Sequence, residues 1–239
     1  MTIPQTRTAL IAALAILLVS RASARAEPVD MALVLAVDVS ESVDADEYVL
    51  QHEGIARAFE NPQVIGTIKG GRHGIIDVLV LEWSDRDKQA VTVDWTRVWD
   101  AASASAFAAK LRAGQRSSGG LTAIGDALLA ADAAFRRLPD QAARRVIDIS
   151  GDGMANVGPS PAAIRDALVA EGITINGLAI LASEPWLDRY YDQDVIGGTG
   201  AFLLQVTDFQ SFATAIKQKL LAEIAARSPA TGLAALQMQ

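Results

Sequence analysis

The chain has 239 residues, 51% of them apolar and 21% charged, a globular composition whose length suits one α/β domain with a sizeable core. It has no cysteine and two histidines, which excludes disulfides, thiolate metal sites, cysteine nucleophiles and a histidine-based zinc site. A formal net charge of −7 argues against nucleic acid or an anionic membrane as a partner.

The first segment reads as a targeting signal. Arg7 precedes an apolar run over 9–19, the length of a signal core and too short for a membrane span. Ala24-Arg25-Ala26 then offers a cleavage site before Glu27. An uncleaved anchor is the competing reading, less favoured because the flank is rich in small residues. Removing residues 1–26 takes away Arg7, Arg21 and Arg25 and no acid, so −7 becomes −10. The expected product is a periplasmic or secreted chain, with no membrane insertion after cleavage near Ala26.

Residues 33–38 read as a strand whose apolar run, 33–37, does not alternate, as a central parallel strand buried on both faces requires. The run ends in oxygen at Asp38, Ser40 and Ser42, and a helix is expected over 45–59, closed by Asn61-Pro62. A second strand is expected over 75–83, with Asp77 at an alternating or solvent-reaching position. A short edge strand follows over 90–95, and Trp83, Trp95 and Trp99 read as packing for that edge. Helices are expected over 103–112 and 123–138, the latter capped by Thr122, with the loop 113–121 between them. A fourth strand over 145–150 ends in Gly151-Asp152-Gly153. A helix over 161–171, a strand over 173–181, a short helix or turn over 186–191, a strand over 202–206 and a closing helix over 209–226 complete the pattern. The tail, 227–239, lacks periodicity and reads as loose.

Alternating strands and helices imply an α/β, doubly wound, mostly parallel six-stranded sheet, in the order 3-2-1-4-5-6, with an antiparallel edge strand and helices on both faces. In that order the first and fourth strands flank the switch point, where a crevice opens. Asp38, Ser40, Ser42, Thr122 and Asp152 therefore converge from three loops. Carboxylates and hydroxyls suit a small hard cation. Taken alone, Asp38 or Ser40 has a plainer reading as a helix cap. Asp148, in an apolar strand, must have partners, with a neighbouring backbone group the favoured one. Glu82 either faces the crevice or lies exposed beside a loop. Glu41 and Asp44 favour the helix N-terminus, and 197–200 is a loop.

Three segments, Asp38-Val39-Ser40-Glu41-Ser42, Gly119-Gly120-Leu121-Thr122 and Ser150-Gly151-Asp152-Gly153, resemble the metal-ion-dependent adhesion site of von Willebrand factor type A and integrin I domains. The chain is also similar to a group of exported bacterial proteins of unknown function with this fold. The resemblance covers about 30–226, and Gly151 departs from the polar residue or threonine common at that place. It implies Mg²⁺ (or Mn²⁺) bound by Ser40 and Ser42, by Thr122 directly or through water, with Asp38 and Asp152 binding the ion or its waters. It implies a protein partner that completes the site with an Asp or Glu carboxylate, and no enzyme activity. Two other readings stay open: a metal-assisted hydrolase, and a structural envelope subunit whose metal site is incidental. Against the hydrolase, the sequence has no Gly-x-Ser-x-Gly turn and no phosphate loop.

Overall fold

A computed structural model describes residues 27–226. The expected signal segment and C-terminal tail lie outside these residues. Six strands form one sheet: β1 (Met31–Asp38), β2 (Ile76–Trp83), β3 (Gln89–Val98), β4 (Arg145–Gly151), β5 (Ile173–Ile180) and β6 (Leu203–Val206). Their order is β3-β2-β1-β4-β5-β6, every pair parallel except β2 with β3. The doubly wound expectation holds in order and in the antiparallel edge. Pro28–Val29 and Gln141–Ala142 add a small two-stranded parallel sheet that the sequence reading missed.

Helices cover both faces: α1 (Ala45–Glu60), α2 (Pro62–Lys69), α3 (Ala101–Ala113), α4 (Ile124–Phe135), α5 (Pro161–Ala170), α6 (Leu187–Tyr190) and α7 (Phe212–Ala225). Asp44 caps α1 by accepting the Asp46 and Glu47 amides, while Glu47 returns a bond to the Asp44 amide. This is the N-terminal role expected of Asp44, and it leaves Asp38 and Ser40 free of capping. Asn61-Pro62 ends α1 as expected but also starts α2. Asn61 accepts the Gln63 amide, and proline is tolerated in a first turn that needs no amide donor.

Side-chain alternation in β1 divides the core. Met31, Leu33, Leu35 and Val37 pack with Ile55, Phe59, Phe107, Phe212 and Leu220 on one face. Ala32, Val34 and Ala36 pack with Trp83, Ile124, Leu128 and Tyr191 on the other. Because each strand alternates, Asp38 continues the second face, whereas Glu82 at the end of β2 belongs to the first. Trp83 is wholly buried and Trp95 donates its indole proton to the Ala134 carbonyl, but Trp99 is exposed. The edge strand β3 runs longer than expected, through Val98, with its register broken by bulges opposite Val78–Leu81.

Three expectations need correction. Asp77 is buried rather than solvent-reaching; it lies beside Arg97 and Asp140, and burial pushes its carboxyl up to about 7. Thr122 does not cap α4, whose first turn has no side-chain cap; the Ala123 amide instead donates to the Ser84 carbonyl at 2.7 Å. Asp148 is held not by backbone but by Lys219 of α7, at 2.8 Å, and Lys219 also binds Glu223 at 2.7 Å. Asn176 of β5 donates to the same Glu223 carboxylate, so a fully buried ionic network joins α7 to the middle of the sheet.

Candidate metal centre

At the C-terminal ends of β1 and β4 the chain leaves the sheet on both sides of the switch point. Asp38, the last residue of β1, is fully buried and accepts the Ser40 amide through Oδ1 at 2.7 Å. That bond turns the chain so that the hydroxyls of Ser40 and Ser42 come to 3.1 Å from each other. Ser42 donates to Asp152 Oδ1 at 2.7 Å, which ties the loop after β1 to the loop after β4. Thr122 arrives from a third loop; a Cβ on Gly153 would lie 3.7 Å from its Oγ1. The Thr122 amide and carbonyl are both bonded to Asn156. All five expected residues therefore meet at one edge, four of them in one hydrogen-bonded chain.

Burial dominates the charge balance. It raises the Asp38 carboxyl to about 7, against the lowering effect of the hydrogen bonds from Ser40, and it raises Asp152 as well. A cation at this edge would reverse that balance, since it favours the ionised carboxylates. The donor set fits a hard divalent ion. Two ligand oxygens that share an edge of an octahedron with 2.0–2.1 Å bonds lie about 3 Å apart, and the two serine oxygens already have that spacing. Ser42 gives its proton to Asp152, so Ser40 donates between the two serines and Ser42 keeps one lone pair for an ion. Among the described residues no cluster of three or more His, Cys, Asp or Glu side chains could hold a metal, so any ion here depends on the hydroxyls.

Arg116 was not singled out by the sequence, yet it builds the site. Its guanidinium donates to the carbonyls of Val43 (2.7 Å), Val39 (2.8 Å), Ser40 (2.7 Å) and Ser118 (2.9 Å). One planar group thus clamps the loop after β1 to the loop before Thr122. Glu41 N–H adds a bond to the Gly120 carbonyl at 2.8 Å. Arg116→Lys should weaken ion binding by about tenfold or more, because a point charge cannot satisfy four carbonyls spread around it. Titration calorimetry would measure the loss, and faster amide exchange over 39–43 would locate it.

Glu82 is neither in the crevice nor exposed. It is buried on the far face, where it accepts from Tyr48 (2.9 Å) and the Ser117 amide (2.7 Å) and meets His52 Nε2 at 3.0 Å. Gln51 donates to the Asp38 carbonyl at 3.2 Å, so α1 supports the site from behind through neighbouring residues. An open groove of about 440 Å³ on the other side of loop 116–120 is lined by Asp87, Lys88, Ser117 and Ser118. None of the five site residues lines it; Ser42 is exposed and the other four are buried, so the cluster reaches the surface at Ser42.

A doubly wound sheet in this strand order has the fold of von Willebrand factor type A domains. The chain belongs to the family described as Protein of unknown function (DUF1194), whose model matches residues 28–228. No curated protein matches it. Among solved structures the fold is similar to proximal thread matrix protein 1 from the mussel byssus, with 17% identity and a TM-score of 0.58, over 84% of this chain and 47% of that one. The same mussel protein has been solved with a zinc-occupied MIDAS motif, where the match covers 84% of this chain and 49% of that one, again at 17% identity and a TM-score of 0.58. A von Willebrand factor type A protein from Catenulispora acidiphila matches at 19% identity and a TM-score of 0.57, over 82% of this chain and 43% of that one. The chain spans about half the length of these structures or less. At these identities the likeness is one of fold. Among the described residues no helix is long and apolar enough to cross a membrane.

Proposed function

We propose that this domain is an exported protein-binding module that captures a carboxylate of its partner through a divalent ion. The Ser40, Ser42 and Thr122 oxygens would hold Mg²⁺ or Mn²⁺, with Asp38 and Asp152 binding the ion or its waters. The observation that carries this reading is the chain from Ser40 through Ser42 to Asp152, with two serine oxygens 3.1 Å apart and Ser42 at the surface. Neutral hydroxyls neutralise the ion less than carboxylates would, so it keeps an attraction for an outside acidic group. Export rests on the 1–26 segment and its Ala24-Arg25-Ala26 site. N-terminal sequencing of the mature form should begin at Glu27; a full-length chain in the membrane fraction would refute cleavage.

The mature chain at −10 repels an acidic partner at long range, so binding must depend on the ion at close range. Chelation should then remove most of the affinity. Raising salt should change it little, or strengthen it by screening. Thr122→Ala should weaken it by about tenfold. The test is a pull-down from periplasm with Mg²⁺ and then with chelator, alongside a panel of esters and phosphoesters. A partner retained in chelator and by Asp152→Ala alike refutes the adhesion reading. Metal-dependent turnover would support the hydrolase.

A further inference from the structure

Behind the hydroxyl cluster the sheet keeps one small polar space. Asp38 uses Oδ1 for the Ser40 amide, and its Oδ2 is buried with no hydrogen-bond partner. Tyr191 is also fully buried, and its hydroxyl has no partner. Both atoms face the same point. A Cβ added to Gly151 would lie 2.6 Å from Tyr191 Oη and 2.8 Å from Asp38 Oδ2. On β5, Gly177 is paired with Ile149 and so lies on the same face as Gly151, where its Cβ would meet Tyr191 Cδ1 at 3.1 Å. Two glycines on adjacent strands thus make room for one tyrosine ring. This accounts for the glycine at 151: any side chain there would occupy the space between the phenol and the carboxylate.

The ring is delivered by an unusual element. Tyr191–Val195 is a single π-helical turn directly after α6, a widened turn that recurs at functional sites. A buried hydroxyl without a partner destabilises a fold, and phenylalanine would fill the same apolar volume without that cost. The hydroxyl is therefore available to a neighbouring acceptor.

We infer that Tyr191 is a positioning residue of the metal centre, whose hydroxyl donates to Asp38 Oδ2 and fixes the carboxylate while Oδ1 holds the Ser40 turn. The inference rests on the metal-site reading above. Asp38 is anchored from both sides: the Ser40 amide takes one oxygen and the phenol takes the other. Neither atom has another hydrogen-bond partner, so a small shift of the carboxylate or the ring closes the bond, and an ion that orients Asp38 would favour it. Tyr191 never reaches the ion; it acts only through Asp38.

The full chain grown with tyrosine labelled with ¹³C at Cζ carries three such signals, from Tyr48, Tyr190 and Tyr191. Tyr191→Phe assigns the third. Mg²⁺ should shift the Tyr191 signal in the wild type and leave it still in the Ser40→Ala, Ser42→Ala double variant. In calorimetry Tyr191→Phe should bind Mg²⁺ about tenfold more weakly or worse, yet melt no earlier than the wild type. A structural tyrosine would give the opposite pattern, an earlier melt with Mg²⁺ affinity kept, and that result overturns the inference. So does an unmoved Tyr191 signal in a wild type that binds Mg²⁺ normally. Should the Phe variant not fold, Tyr48→Phe and Tyr190→Phe assign the signal by exclusion, and the wild-type titration alone decides. A wild type that shows no Mg²⁺ heat overturns the metal-site reading, and this inference falls with it.

Discussion

Replacing both Ser40 and Ser42 with alanine should abolish Mg²⁺ binding in titration calorimetry and leave the circular dichroism spectrum unchanged. A small divalent ion needs near-octahedral oxygen coordination, and two of its protein oxygens would be gone. The carboxylates cannot replace them, since no cluster of three acidic or imidazole side chains exists among the described residues. The loss should exceed the roughly 10- to 100-fold effect typical of removing one supporting group. The fold should survive because Ser42 is exposed and the loop is fixed by Arg116 and by backbone bonds. Binding that persists in the double variant would place the ion elsewhere.

A second large effect belongs to stability. Lys219→Met should destabilise the protein by about 3–5 kcal/mol, the usual cost of stranding a buried charge after removal of its partner. In a domain of this size that lowers the melting temperature by roughly 10 °C. Lys219, Asp148 and Glu223 are all buried, and burial raises the Asp148 carboxyl from 3.8 to about 7, with repulsion from Glu223 adding to it and Lys219 opposing it. Between those two values the native protein keeps a proton that the unfolded chain has lost. Stability from this group is therefore full below pH 3.8 and declines as pH rises towards 7. Asp148→Asn should flatten that decline in urea titrations run at a series of pH values. An unaltered slope would mean that Asp148 is already ionised throughout.

The sheet was legible because its signals are local. Apolar strands that end in oxygen or glycine, and helices bounded by Asp44 and Asn61-Pro62, can be read residue by residue. Convergence of Asp38, Ser40, Ser42 and Asp152 followed from strand order, since the ends of neighbouring strands must be close. The supports were not legible, because they depend on which distant side chain meets which. Nothing in the sequence marks Arg116, whose role depends on the carbonyls of Val39, Ser40 and Val43 curled around it. Lys219 reads as the polar face of an amphipathic helix, yet it is among the most deeply buried side chains. Thr122 showed the reverse error. Its type suggested a cap, but the helix starts without one and its oxygen lies beside Gly153 instead.

The Arg116 clamp has a consequence for how the protein meets its environment. Val39, Ser40 and Val43 are gripped by the chain's own guanidinium, so the loop is already shaped without an ion, and an ion at the proposed site would add to stability only through its own binding. Stripping the ion should lower the melting point only by the amount that mass action dictates, and no more. A collapse of the melting curve in chelator would contradict this. On the proposed reading, fluctuating divalent-ion levels would set how much of the protein is competent to bind, while the fold itself persists.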